Sequence, residues 1–315
     1  MKIGLVLIKT PSFSEEFLIS KIKILQQGGH KVILFANINN NFKAITAMVL
    51  AVISVTLMSA QAKLIGTDYD PIQIAFIRAI IVMILLSPII YKLGGVKFLK
   101  TKKPFLHFFR SIAGVIGNVL FFYSFQRLPI ADVTVISMAV PIFSSILALI
   151  ILNEIIGWRR WTAIMFGFLG VIIALDPSIN MKFASITALL ATLMWSITII
   201  FLRILGSTEH PVKTVFYFMF VSFLATLFFQ PFVWKNPSLD VWFLLIGLSI
   251  CAFFTQTLMT YALQKAEASI VSPFNYTGII WAIIFDLLIW NVLPVTSTIL
   301  GGLIITISGI YIFNR

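Results

Sequence analysis

The sequence predicts an all-α polytopic membrane protein with ten transmembrane helices. Two observations carry that expectation. Of 315 residues, 60% are hydrophobic and only 11% are charged, with a mean hydropathy of +1.04, whereas soluble chains are about half apolar and about a quarter charged. Apolar runs of roughly 20 residues, enough to cross a hydrocarbon core of roughly 30 Å, also recur along the chain between short, charged linkers. This composition excludes a soluble enzyme, a disordered chain and a disulfide scaffold. Cys251 is the only cysteine, so no disulfide can form within the chain.

The runs fall at Ala44–Ala62, Ile72–Tyr91, His107–Phe125, Val133–Leu152, Trp161–Leu175, Phe183–Phe201, Val215–Val233, Val241–Leu263, Ile270–Ile289 and Ser297–Phe313. Residues 1–40 read differently. Lys2–Ile8 and Lys31–Phe35 have strand patterning, Ser12–Gln27 is an amphipathic helix, and Gly28-Gly29 stops it. Forty residues are too few for an independent core, and the apolar stretch is too interrupted for a signal peptide. A short cytoplasmic segment is expected.

The net charge of +12 would suggest nucleic acid in a soluble chain. Here it follows the orientation rule, which places Lys and Arg on the cytoplasmic side. The amino-terminal segment, the even-numbered loops and the carboxyl end carry eighteen Lys and Arg, Arg110 counted among them; the odd loops carry four, and Arg78 lies within the second run. Both termini are therefore expected in the cytoplasm, which an even number of crossings requires.

The runs also repeat. Residues 111–153, shifted by 138 positions without a gap, fall on 249–291 with 11 identities in 43, including Ser111/Ser249, Tyr123/Tyr261, Gln126/Gln264 and Asn153/Asn291; Asn118 faces Gln256. The third and fourth runs thus correspond to the eighth and ninth, and the unit is five helices. Five is odd, so the second unit enters the membrane inverted. Inverted repeats mark secondary transporters, with the substrate site between the halves near the midplane.

The residues that carry this repeat resemble a known family. YSFQRLPIADVTVISMAVPIFSSILALIILNEIIGWRRWTAIMFGFLGVIIAL (123–175) and YALQKAEASIVSPFNYTGIIWAIIFDLLIWNVLPVTSTILGGLIITISGIYIFNR (261–315) are similar to the two half-unit signatures of the drug/metabolite transporter superfamily, EamA type. The tail resembles the branch of S-adenosylmethionine uptake transporters and related metabolite exporters. The resemblance implies five-helix units over residues 42–175 and 181–315, a central cavity, alternating access and location in the inner (plasma) membrane. Where relatives carry an acid at the end of the ninth helix this chain has Val292, and Asp286 stands where they carry a small residue. Separately, residues 1–40 resemble the first strand–helix–strand unit of a two-Rossmann-domain glycosyltransferase. That likeness leaves a lipid-linked sugar flippase, or a membrane-attached glycosyltransferase-related protein, as the alternative to a metabolite transporter.

Charged and polar groups inside the runs are the candidate site residues, because each costs on the order of 3 kcal/mol at the bilayer centre. Asp286 is expected on one helical stripe with Asn275 and Ala282, facing a cavity or coupling transport to protons or exchange, with Ser137 on the matching stripe of the fourth run. Its other reading is a structural pair with another helix, Arg78 being one choice. Asn118 and Gln256 either contact substrate or bond across helices. Arg78, expected near the outer end, snorkels outward or pairs with Asp68, Asp70 or an anionic substrate group. Trp195, Tyr276 and Trp281 could stack on a planar or cationic solute. The expected partners are a small-molecule substrate and the bilayer, not nucleic acid. No catalytic residue, metal ligand set or cofactor motif stands out, and the phosphate loop of ATPases is missing.

Overall fold

The structure is a computed structural model and describes residues 38–152, 158–175, 183–206, 209–265 and 272–313. The Lys2–Phe35 strand–helix–strand reading lies outside the described residues. The elements are helices: α1 Ile38–Ile65, α2 Pro71–Lys92, α3 Pro104–Phe125, α4 Ile130–Ser137, α5 Val140–Leu152, α6 Trp158–Leu175, α7 Phe183–Gly206, α8 Pro211–Leu227, α9 Gln230–Val233, α10 Leu239–Lys265, α11 Gly278–Trp290 and α12 Thr296–Phe313. Short 3-10 segments stand at Gly95–Lys97 and Ser272–Thr277. Among the described residues, six helical stretches are long and apolar enough to cross a membrane, and four shorter apolar ones run over Trp161–Leu175, Pro211–Leu227, Phe274–Trp290 and Thr296–Tyr311.

Local chemistry sets the helix ends. Asp70 caps α2 by accepting a 2.8 Å hydrogen bond from the Ile72 amide, and Pro71 opens the helix. Asn291 closes α11 in the left-handed conformation, φ 52°, which Asn tolerates better than most residues. Prolines explain where the expected runs break. A proline lacks the N–H and its ring collides with the carbonyl four residues back. Pro141 therefore ends α4 at Ser137, and the fourth run becomes α4 plus α5. Pro231 likewise ends α8 at Leu227, so the seventh run does not continue as one helix to Val233. Pro88 sits inside α2, and the Ser87 hydroxyl bonds the freed Ile84 carbonyl at 2.7 Å. The ninth run begins as the Ser272–Thr277 3-10 turn before α11. Under the 138-residue shift, the end of that turn falls on the α4–α5 break.

The most extensive packing joins α1 to α10, α3 to α7 and α6 to α12; α2 packs on α8 and α10, α3 on α8, and α4 on α11. Small residues permit this closeness. A Cβ on Gly301 would meet the Gly170 carbonyl and Ala174 backbone at 2.6 Å, and one on Gly117 would meet the Ala191 carbonyl at 3.3 Å. The largest core cluster among the described residues, including Ile74, Val82, Phe122, Phe218 and Leu248, sits among α1, α2, α3, α8 and α10. Large apolar side chains such as Ile84, Ile150, Met165, Leu288 and Ile307 point outward and are exposed, as a lipid-facing surface requires.

Candidate functional site

Two charge clusters are buried among the helices. The first joins the ends of α1, α4 and α11. Lys63 Nζ lies 2.8 Å from Asp286 Oδ1, and the Ala131 amide donates to Asp286 Oδ2 at 2.8 Å. The Asp286 side chain is 1% exposed. Lys63 also stands over the Trp290 ring, 4.1 Å from its centroid. Pro129, at the cap position of α4, makes no side-chain cap bond. Asp286 supplies that missing acceptor from another helix, where the helix dipole favours an anion. Next to it Thr298 of α12 donates to Asp132 Oδ1 at 2.8 Å.

The second cluster lies within α2, α3 and α8. Arg78 and Arg110 are 2% and 1% exposed. Arg78 Nη1 donates to Asn118 Oδ1 at 2.9 Å, and Asn118 Nδ2 donates to the Gly114 carbonyl at 3.0 Å. Both guanidiniums approach one ring, Phe218, at 4.3 Å from Arg110 and 5.8 Å from Arg78; Arg78 also lies 5.3 Å from Phe122. Gly114 makes room for that ring, since a Cβ there would meet Phe218 Cε2 at 2.7 Å. Among the described residues, Arg78 Nε and Nη2 and Arg110 Nε and Nη1 have no hydrogen-bond partner, nor do the buried hydroxyls of Ser111 and Ser222.

A third group sits at the opposite end of the bundle from Lys63. Lys213 Nζ is 2.8 Å from Glu209 Oε2, His107 Nε2 is 4.0 Å from Glu209 Oε1, and Thr101 donates to Glu209. Burial pushes the Glu209 carboxyl up, but hydrogen bonds from Lys213 and Thr101 and the attraction of Lys213 and His107 outweigh it and hold the group below its ordinary value. His107 stacks on Tyr217 with centroids 4.5 Å apart.

The structure brings some expected site residues together and separates others. Arg78 is 2% exposed and does not pair with Asp70, which caps α2 instead; it meets Asn118. Asp286 is 1% exposed and meets Lys63, and Ala282 beside it is fully buried. Asn275 does not share a continuous α-helical stripe with Asp286, since it belongs to the 3-10 turn. Asn118 bonds Arg78 and Gly114 within its own neighbourhood, while Gln256 stands half-buried on α10. Ser137 turns back to the Thr134 carbonyl at 2.7 Å where α4 ends. Tyr276 and Trp281 belong to different packing clusters, Tyr276 with Ile142 and Ile305, Trp281 with Met48 and Val52. The Tyr276 hydroxyl occupies the space a Cβ on Gly309 would need. Trp195 is half-buried on α7, its amide beside Gly117.

Two residues escaped the sequence reading. Arg110 counts there as a loop charge, yet it lies inside α3 on one stripe with Gly114 and Asn118. The spacing 110, 114, 118 was its available signal. Lys63 lies just past an apolar run, and nothing local marks its partner 223 residues away. Among the described residues no group of three His, Cys, Asp or Glu could hold a metal ion.

The comparisons with known proteins agree with this architecture. The EamA-like transporter family matches residues 42–175 and 182–315. An S-adenosylmethionine uptake transporter of Rickettsia prowazekii (strain Madrid E) is 28% identical over 264 residues, covering 84% of this chain and 90% of the relative. A pseudopaline exporter of Pseudomonas aeruginosa (strain UCBPP-PA14) is 25% identical over 266 residues, covering 82% and 92%. A solved crystal structure superposes with a TM-score of 0.58 over 87% of this chain and 96% of that one, at 13% identity, which shows likeness of fold alone. The chain belongs to the EamA-like transporter family, within the drug/metabolite transporter superfamily. It is a multi-pass membrane protein of a transporter family.

Proposed function

We propose that this chain is a secondary transporter that moves a small polar metabolite across the cytoplasmic (inner) membrane by alternating access. Ten crossings form two inverted five-helix repeats, over 42–175 and 181–315, with both termini cytoplasmic. The observation that carries this reading is the packing pattern. Taking α4 with α5, and the Ser272–Thr277 turn with α11, as single segments, a shift of five segments maps α1–α10 onto α7–α3 and α3–α8 onto α10–α2, and maps α2–α8, α4–α11 and α6–α12 onto themselves. Such a pattern suits a protein whose two halves exchange conformations. Further support comes from the interrupted fourth and ninth segments at corresponding positions.

In this reading Lys63–Asp286 closes one end of the bundle, and the cycle must break it to open that end. Protonation of Asp286, or exchange of one solute for another, would supply the coupling. S-adenosylmethionine, amino acids and related compounds are the first substrates to try, given the two named relatives. Arg110 is buried and leaves the orientation count, but seventeen Lys and Arg against four keeps its sign.

Uptake of labelled S-adenosylmethionine and amino acids into proteoliposomes tests transport; saturable accumulation is expected, and no accumulation of any of the panel counts against it. Reporter fusions after Arg127 and Lys182 should read outside and after Lys103 inside. An inside signal at Lys182 breaks the inverted-repeat arrangement.

A further inference from the structure

We propose that Arg78, Arg110 and Asn118 form a carboxylate-binding site, and that the transported solute therefore carries a carboxylate. The inference rests on the transport reading above and deepens it. Guanidiniums keep their charge at neutral pH and present donors only. Removing two of them from solvent is costly unless anions or hydrogen bonds compensate. The compensation here is incomplete. One bond to Asn118 and contacts with Phe218 and Phe122 are present, but four guanidinium nitrogens have no partner among the described residues. Among the described residues no carboxylate forms an ion pair with either arginine, although the same structure pairs Lys63, Lys213 and His107 with acids.

The geometry suits a carboxylate. The free Nε and Nη2 of Arg78 form one edge of its guanidinium, where two parallel N–H groups match the two oxygens of a carboxylate. Asn118 holds the opposite side of that guanidinium through Nη1, which fixes the fork in place. Arg110 reaches the same Phe218 ring, so a second buried guanidinium without an anion partner among the described residues lies one aromatic side chain away from the first. Arg78 lies seven residues into α2 and Arg110 six residues into α3, helices that start at opposite ends of the bundle. The two positions therefore lie on either side of the middle of the bundle, the region where a site reached alternately from both sides must be.

The test is binding without a gradient, so that its outcome is separate from transport. Purified full-length protein in nanodiscs is heated with methionine or its methyl ester, succinate or dimethyl succinate, and inorganic phosphate. The expected result is a rise in melting temperature with the acids that their esters do not give. Arg78→Met and Arg110→Met, which keep the apolar stem, should weaken apparent affinity on the order of tenfold or more. Asn118→Leu should do so less, and all three must elute as folded protein. Equal shifts from acids and esters, no shift with any acid, a response to phosphate alone, or full acid response in both arginine variants overturns the proposal. Acid-selective binding without accumulation in proteoliposomes leaves the site standing and sinks the transport reading; accumulation without acid-selective binding does the reverse.

Discussion

The Lys63–Asp286 cluster and the Arg78–Arg110 cluster lie in the same bundle and are buried alike, yet they are balanced differently. In the first, one cation meets one anion at 2.8 Å, and the second carboxylate oxygen takes a backbone amide. In the second, two cations share a phenyl ring, and Arg78 alone bonds the Asn118 amide. The first is complete as it stands, whereas the second has donors to spare. The difference teaches that burial of charge is not one phenomenon. A neutral pair ties helices of the two halves together, and an unbalanced pair stores affinity for something that is not protein.

Mutation should separate the two sharply. Lys63→Met leaves the Asp286 carboxylate buried without its cation, and about 3–5 kcal/mol of stability should be lost. The double variant Lys63→Met/Asp286→Leu should regain most of it, because the orphan charge is gone. Melting temperature in nanodiscs measures both, and a wild-type value for Lys63→Met would show that the pair holds nothing. Next in size is Gly114→Ala. Its Cβ would press on the Phe218 ring and push it against the arginines, at a cost of about 1–3 kcal/mol. Stability equal to wild type would mean that the ring moves freely and does not seat the cluster.

Arg78→Met and Arg110→Met should behave opposite to Lys63→Met. Each removes an uncompensated charge and keeps the stem, so the ligand-free protein should be as stable as wild type or more stable by about 1 kcal/mol. A loss as large as that of Lys63→Met would erase the distinction between the clusters. The smallest effect is expected at Glu209, nearer solvent. Its folded-state proton affinity lies below the ordinary value, so its contribution is present above the unfolded carboxylate range and is lost as pH falls through the folded value. Glu209→Gln should flatten the acid side of the stability profile below about pH 4 by under about 1 kcal/mol. Parallel melting curves for the two proteins across that range would remove Glu209 from the account.

Much of the architecture was legible before any coordinates. Most apolar runs fall on helices, with the fourth, seventh and ninth interrupted, because an apolar stretch in lipid must satisfy its own backbone hydrogen bonds and does so locally as helix. The breaks at Ser137 and Leu227 were not anticipated, although Pro141 and Pro231 impose them locally on their own chain. Family membership was legible too, in the paired segments beginning at Tyr123 and Tyr261. The candidate site was legible in part. Arg78 and Asn118 stood out as polar groups in apolar runs, but their contact did not, because they lie 40 residues apart on different helices.

What only the tertiary structure decided is which charge meets which. Asp286 could have faced a cavity, met Arg78 or met Lys63, and helical periodicity allows all three. Packing of α1 against the ends of α4 and α11 chose Lys63. Arg110 could have been a loop cation until the start of α3 at Pro104 and its contact with α8 put the guanidinium against Phe218. The physical reason is one of range. Hydrophobic length and backbone sterics act over a few residues, so one strand of text contains them. Electrostatic balance is settled by whichever helices come together, and the order of residues along the chain does not contain that.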